Sequence, residues 1–266
     1  MPPVGVSPAQ QAQNARRALG LGDVDPIRDV LRLIDEHPGA GIPVAVLPLP
    51  EGVAGAYGKK RGQGLAFVNS NDWPVRRRFT LAHEYGHHFL GHTTAIDEVS
   101  DVYGRPSTQR ERDANSFASE FLIPGVGVRA WMSTRGATRP DLEAIVRLAD
   151  WYGVSAWVAL YALTRERFIR PAEREALEER LRAREHRVLR QELGLEGHGD
   201  ALSEEQLPRG GRRMPSGLTE MALRAYRFGV VPADRAASYL GTDESQLGAE
   251  LERRGLSLVE DDDREY

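Results

Sequence analysis

The stretch Phe79–His92, FTLAHEYGHHFLGH, constrains this chain more than any other. From Phe79 to Leu90 it is largely apolar, and Leu81, Tyr85, His88 and Phe89 are not spaced like a solvated face, so a helix built from it belongs inside the protein. It nevertheless carries His83, Glu84 and His87, and buried imidazoles need partners. Helical positions four apart differ by about 40° in azimuth, so His83 and His87 aim at one point. Glu84 leaves on the neighbouring azimuth. The pattern H-E-x-x-H over His83–His87 thus offers two neutral imidazoles for a metal such as Zn²⁺, each at about 2.0–2.1 Å, with a carboxylate placed to serve an attacking water. A chain of this composition would hold that pattern by chance about one or two times in a hundred. The simpler reading, a surface helix that happens to carry histidines, conflicts with the apolar surroundings.

Composition narrows the rest of such a site. With no cysteine in 266 residues, thiolate ligands and disulfides are excluded, and any further ligand must be His, Asp or Glu. A formal charge of −4 gives no overall case for nucleic-acid binding. No apolar run reaches the ~18 residues a membrane span needs, and the first twenty residues lack an apolar core behind a basic start, so the expectation is a cytoplasmic protein.

A catalytic zinc usually takes three protein ligands and keeps one open position. His92 follows the motif closely, but the H-E-x-x-H-x-x-G-x-x-H register would need Gly at 90 and His at 93, where this chain has Leu90 and Thr93. Asp97, Glu98 and Asp101 lie in a stretch read as loop, which positions ligands less rigidly. Glu111, 24 residues after His87, falls on a helix expected over Gln109–Leu122 and is followed one turn later by Asn115. In the gluzincin arrangement a second helix supplies a Glu ligand, and a polar side chain one turn on bonds the other nitrogen of a zinc histidine. Asp113 competes, but it lies about 200° from Glu111 in azimuth, on the side away from Asn115, Ala118 and Leu122. Glu111 is therefore preferred, with Asn115 behind a histidine. The simpler role for Glu111 is a first-turn acid serving the helix dipole.

Along the chain, residues 1–24 read as a flexible tail with a helix over Ala9–Leu19. Asp25-Pro26 looks like a cap and first position of a helix stopped by His37-Pro38-Gly39. Ile42–Leu49 reads as a strand whose prolines point to an edge, and Ala56–Gly58 and Gly64–Asn69 as two more, joined by a basic turn, Lys59–Gly62. Asp72-Trp73-Pro74 starts the histidine helix and Gly91 ends it. Arg76, Arg77 and Arg78 oppose its dipole and should face solvent, a carboxylate or substrate. Residues 93–108 read as loop. Residues 25–135 form the first domain and 136–170 a helix-turn-helix-like pair, with Ser155 capping the second helix; simple helix packing is favoured over DNA reading, because base-reading cations are missing. Residues 171–193 read as one charged helix, 194–217 as a linker, 218–258 as a small helical module and 259–266 as an acidic tail.

Arg78–His87 and Glu111–Pro124, RFTLAHEYGH and ERDANSFASEFLIP, resemble the ImmA/IrrE family of metallopeptidases nearly throughout, and the resemblance extends over roughly residues 25–165. It implies an α+β fold: a mostly helical zincin-like domain with a small antiparallel sheet packed by the H-E-x-x-H helix, followed by helical, helix-turn-helix-like units. It implies one Zn²⁺ per chain held by His83, His87 and Glu111, Glu84 as base, and a helix-turn-helix (XRE-like) repressor as the protein cleaved, which relieves repression of mobile-element or DNA-damage genes. Asp113 departs from the second Glu that many members carry. The reading adds an extended substrate beside Gly64–Asn69 and an oxyanion donor among Tyr103, His92 and His88. The alternative is a non-proteolytic zinc protein that binds a repressor or DNA through its helical units, motivated by Arg209, Arg212, Arg213, Arg224 and Arg227.

Overall fold

One buried helix lies between a small sheet and three other helices. In the computed structural model, which describes residues 5–93, 95–104, 106–135, 139–195, 202–203 and 206–256, the chain begins with α1 (Pro8–Ala18), α2 (Val30–Glu36), β1 (Val44–Leu47), β2 (Val53–Lys60) and β3 (Gln63–Asn69). The motif helix α3 (Pro74–Phe89) follows, then β4 (Ala95–Glu98), α4 (Val99–Tyr103), α5 (Gln109–Leu122) and α6 (Gly125–Arg135). The remaining helices are α7 (Leu142–Tyr152), α8 (Ala156–Arg165), α9 (Pro171–Arg182), α10 (Glu185–Glu192), α11 (Ser216–Arg227), α12 (Ala233–Leu240) and α13 (Leu247–Arg253).

α3 packs on β2 and β3 on one side and on α5, α2 and α1 on the others. Every residue from Arg77 to His87 is buried. Val44, Val46, Ala54, Ala66 and Val68 on the sheet join Leu81, Ala82 and Tyr85 of the helix and Phe117, Phe121 and Leu122 of α5 in one core. The hairpin turn closes with Arg61 and Gly62 both at positive φ, the conformation a two-residue turn needs to match strand twist. α5 has the bounds expected of it, Gln109–Leu122: Thr108 accepts the Glu111 N–H at its start, and Pro124 follows its end.

The structure corrects several expectations. The sheet is mixed, not antiparallel. Its order is β1-β3-β2-β4, with β1 parallel to β3 and the other pairs antiparallel. β3, Gly64–Asn69 included, is thus an inner strand: Ala66–Val68 are paired on both edges, with β1 and with β2, and only its first residues, Gln63–Leu65, lack a β1 partner. Residues 93–108 contain β4 and α4 rather than loop alone. α2 begins at Val30 with Asp29 as cap, not at Asp25-Pro26, because the Ile27 and Arg28 carbonyls accept hydrogen bonds from Arg78 instead of entering a helix. The charged helix breaks at Arg184, φ 63°, into α9 and α10. α1 packs against α5 and contributes Ala12 and Ala15 to the core, so this part of residues 1–24 is structural. Leu202 and Leu207, in the stretch read as linker, are core residues as well. Residues 259–266 lie outside the described residues. α7 and α8 join at Gly153 (φ 63°) with Ser155 capping α8, and pack into the core. A separate small core of Leu223, Ala236, Ala237, Leu247 and Leu251 holds α11 to α13 together.

Two arginines at the start of α3 are buried rather than solvated. Arg77 donates to the carbonyls of Ser70, Leu207 and Asp72 at 2.6–2.7 Å and to that of Leu202 at 3.2 Å. Arg78 donates to those of Ile27 at 2.7 Å and Gly153 at 2.9 Å. Arg76 pairs with Asp72 at 3.6 Å and lies over the Tyr103 ring. Of the arginines that motivated nucleic-acid binding, Arg213 pairs with Asp35 and Glu36, Arg224 with Glu220, and Arg209 and Arg227 stack on Trp73 and Phe228.

Candidate metal centre

α3 and α5 meet at Gly86, inside the motif. A Cβ there would lie 3.1 Å from Phe117 Cδ1 and 3.3 Å from the Ala114 carbonyl, so a side chain at this position would push α5 away by a few tenths of an ångström. The approach carries Glu111 onto the imidazoles. His83 Nε2 and His87 Nε2 are 3.0 Å apart, and Glu111 Oε2 is 3.2 Å from the first and 3.3 Å from the second. Donors each about 2.0–2.1 Å from one tetrahedral ion lie about 3.3–3.4 Å from one another. The observed triangle is nearly that size. The imidazoles are fully buried and Glu111 is 7 % exposed.

Hydrogen bonding fixes which atoms face the centre. Asn115 donates from Nδ2 to the Asp101 carbonyl at 2.7 Å, which leaves its Oδ1 as acceptor, 2.9 Å from His83 Nδ1. His83 therefore carries its proton on Nδ1 and presents a lone pair at Nε2. A bare imidazole nitrogen 3.2 Å from a carboxylate oxygen is a repulsive pair unless a cation or proton lies between them. The donor set, two nitrogens and a carboxylate oxygen without thiolate, suits zinc. The residues present thus fit a divalent ion. Burial, with His83 beside it, pushes the His87 pKa down to about 3, so this imidazole is neutral as a ligand must be.

Glu84 is buried under β2. A Cβ on Gly55 would come within 2.2 Å of Glu84 Oε1, so β2 rests on this carboxylate through a glycine. Gly55 pairs with Asp97 of β4, which puts the open sheet edge one strand away from Glu84.

The other candidates fall elsewhere. Asp113 accepts from Gln109 Nε2 at 2.7 Å on the exposed side of α5. Asp101 accepts the Ser107 N–H, Glu98 is exposed, and the Asp97 side chain lies outside the described ones. Tyr103 donates its hydroxyl proton to the Arg76 carbonyl at 2.7 Å and bonds Thr80 Oγ1 one turn before Glu84; burial first of all raises its pKa. His88 lies beside the Tyr57 hydroxyl at 3.1 Å, and burial followed by Lys59 lowers its pKa. His92 does not join the ligand triangle: its Nδ1 lies 2.8 Å from the outer nitrogen, Nδ1, of His87. Sequence reasoning missed that contact, although Gly91-His92 directly after the helix was a signal for it.

Comparison with known proteins places this geometry in context. Residues 39–164 match the sequence profile described as the IrrE N-terminal-like domain. The chain is similar to the radiation response metalloprotease IrrE of Deinococcus deserti, 32 % identical over 165 residues, 61 % of this chain and 56 % of the relative. It is also similar to the protein of that name from Deinococcus radiodurans, 34 % identical over 102 residues, 37 % of this chain and 30 % of the relative. The matches thus span about half of the first relative and a third of the second.

Proposed function

Through residues 39–164 this chain belongs to the IrrE N-terminal-like domain family, and from that premise we propose that it is a zinc-dependent endopeptidase. Its substrate in this reading is a helix-turn-helix, XRE-like repressor, whose cleavage relieves repression of mobile-element or stress and DNA-damage genes. The observation that carries the reading is the buried triangle of His83 Nε2, His87 Nε2 and Glu111 Oε2 with edges of 3.0–3.3 Å, next in sequence to a carboxylate that a purely structural site would not need.

His83, His87 and Glu111 would hold one ion per chain. When bound, zinc supplies Lewis acidity toward the attacking water and the scissile carbonyl. Glu84 accepts a proton as water adds to the carbonyl carbon and returns it to the departing amine, so the elements of water cross the C–N bond and the carboxylate is regenerated. Asn115 keeps His83 in the tautomer that leaves Nε2 bare. β4 replaces β3 as the strand beside which an extended peptide would lie, since it is an edge and its partner residue Gly55 rests on Glu84. Glu84 and both histidines have no exposed surface, so peptide entry requires an opening movement. No helix among the described residues is long and apolar enough to cross a membrane.

The test is Glu84→Gln with zinc-loaded protein and the repressor encoded beside it. Zinc content should stay at one per chain while a defined cut disappears. Cleavage that survives the substitution would refute the role of Glu84; loss of cleavage on chelation and its return with zinc would support the metal dependence.

A further inference from the structure

We propose that His92 is a positioning residue for the metal centre: it fixes the tautomer and orientation of His87 from a helix-terminating turn built for that purpose. This rests on the metal-centre reading above. The turn satisfies both bonds of a Schellman motif. Gly91 sits at φ 73°, its N–H donates to the His88 carbonyl at 3.1 Å, and the His92 N–H donates to the His87 carbonyl at 2.9 Å. That closure turns the chain back over the last turn of α3 and sets the His92 ring against that of His87, with centroids 5.0 Å apart and their Nδ1 atoms at 2.8 Å. One backbone motif thus ends the helix and delivers an imidazole to the outer nitrogen of a ligand.

Two Nδ1 atoms at 2.8 Å share a single proton. When His87 gives its Nε2 lone pair to an ion, its proton is on Nδ1 and donates to a bare His92 Nδ1, and His92 keeps its own proton on Nε2. Without an ion, the bare His83 Nε2 and the Glu111 carboxylate call for a donor. His87 then presents Nε2–H to them, and His92 Nδ1–H donates to His87 Nδ1. Metal binding therefore exchanges both tautomers, each ring losing one N–H and gaining the other, with solvent carrying the protons and the total unchanged. Asn115, pinned by its bond to the Asp101 carbonyl, gives His83 a fixed acceptor; His92 gives His87 a partner that can accept or donate.

The experiment is histidine ¹⁵N NMR of the full chain with and without added zinc, together with zinc competition against a chromophoric chelator for His92→Phe and His92→Gln. In zinc-loaded wild-type protein, His87 should carry its proton on Nδ1 and His92 on Nε2, and both should reverse when zinc is removed. His92→Phe should weaken zinc binding roughly 10–100-fold, and His92→Gln, which keeps a carbonyl acceptor, should recover most of that. A zinc-binding wild-type protein with His92 Nδ1 protonated overturns the proposal even if the Phe variant fails to fold. So does a folded His92→Phe that binds zinc like wild type. A wild-type chain that binds no zinc removes the metal centre itself, a different and separately visible failure.

Discussion

Gly55→Ala tests how tightly β2 is fitted to the proposed base. The added methyl would stand 2.2 Å from Glu84 Oε1, 2.6 Å from Thr80 Cγ2 and 2.8 Å from the Phe67 carbonyl oxygen. Ordinary contact begins at 3.4 Å, so Glu84 must withdraw by about 1.2 Å, or the strand must lift by a similar amount against its own pairing with β3. Overpacking of this kind costs about 1–3 kcal/mol of stability, and each kcal/mol lowers Tm by about 2–4 °C in a chain of this size. A displacement of about 1 Å at a reacting carboxylate costs on the order of 10²-fold in rate. The three atoms nearest the methyl include none of the metal-facing ones, so zinc content should remain at one per chain. Gly58→Ala on the same strand is the control, since nothing lies within 4 Å of a Cβ there. The assays are calorimetry, zinc analysis and the initial rate of repressor cleavage. Wild-type rate and Tm in Gly55→Ala would refute the claim that β2 fixes the Glu84 carboxylate.

Other outcomes follow from the same geometry. Glu111→Ala should weaken zinc binding by more than the ~10–100-fold typical of outer partners, measured by chelator competition; unchanged affinity would remove Glu111 from the ligand set. Arg77→Met leaves the carbonyls of Ser70, Asp72, Leu202 and Leu207 without this donor and should destabilise by about 3–5 kcal/mol in urea unfolding, with earlier proteolytic cutting around residues 202–207. The metal-free protein should lose stability in acid. His87 titrates near 3 in the fold against an ordinary 6.5, so as pH falls below 6.5 the unfolded chain takes the proton first. The contribution is complete above pH 6.5 and erodes by at most about 1.4 kcal/mol per pH unit until about pH 3. The urea midpoint of wild type should fall relative to that of His87→Gln as pH drops through this window; a constant difference would contradict the shift.

Local signals in the sequence were strong where a residue type has one structural use. Thr108 and Pro124 bracket α5, Gly91 ends α3, and the Arg61-Gly62 turn closes the hairpin. The 100° periodicity was enough to bring Glu111 rather than Asp113 toward the histidines, since the choice depends on one helix only. Strand order was not legible, because the parallel β1–β3 pairing joins segments with β2 between them in sequence. β4 and α4, four and five residues long, are too short to show a periodicity. Arg77 and Arg78 were assigned to solvent, carboxylate or substrate because arginine is seldom fully buried; their actual partners are carbonyls as far as 130 residues away, which no local pattern contains. The contact of His92 with His87 depends on the reverse turn at Gly91, a three-dimensional feature.

The buried arginines give the motif helix a second duty as a rivet. Arg78 reaches back to Ile27 and Arg28, and Arg77 forward to Leu202 and Leu207, all outside the 39–164 stretch that matches the family profile. A fragment trimmed to that stretch would keep every proposed ligand and still take from each guanidinium part of its anchors, leaving Arg77 with Ser70 and Asp72 and Arg78 with Gly153 and Tyr152. The flanking chain is therefore tied to the helix that carries the histidines, and a fragment cut at 39 and 164 should unfold at lower urea than the whole chain.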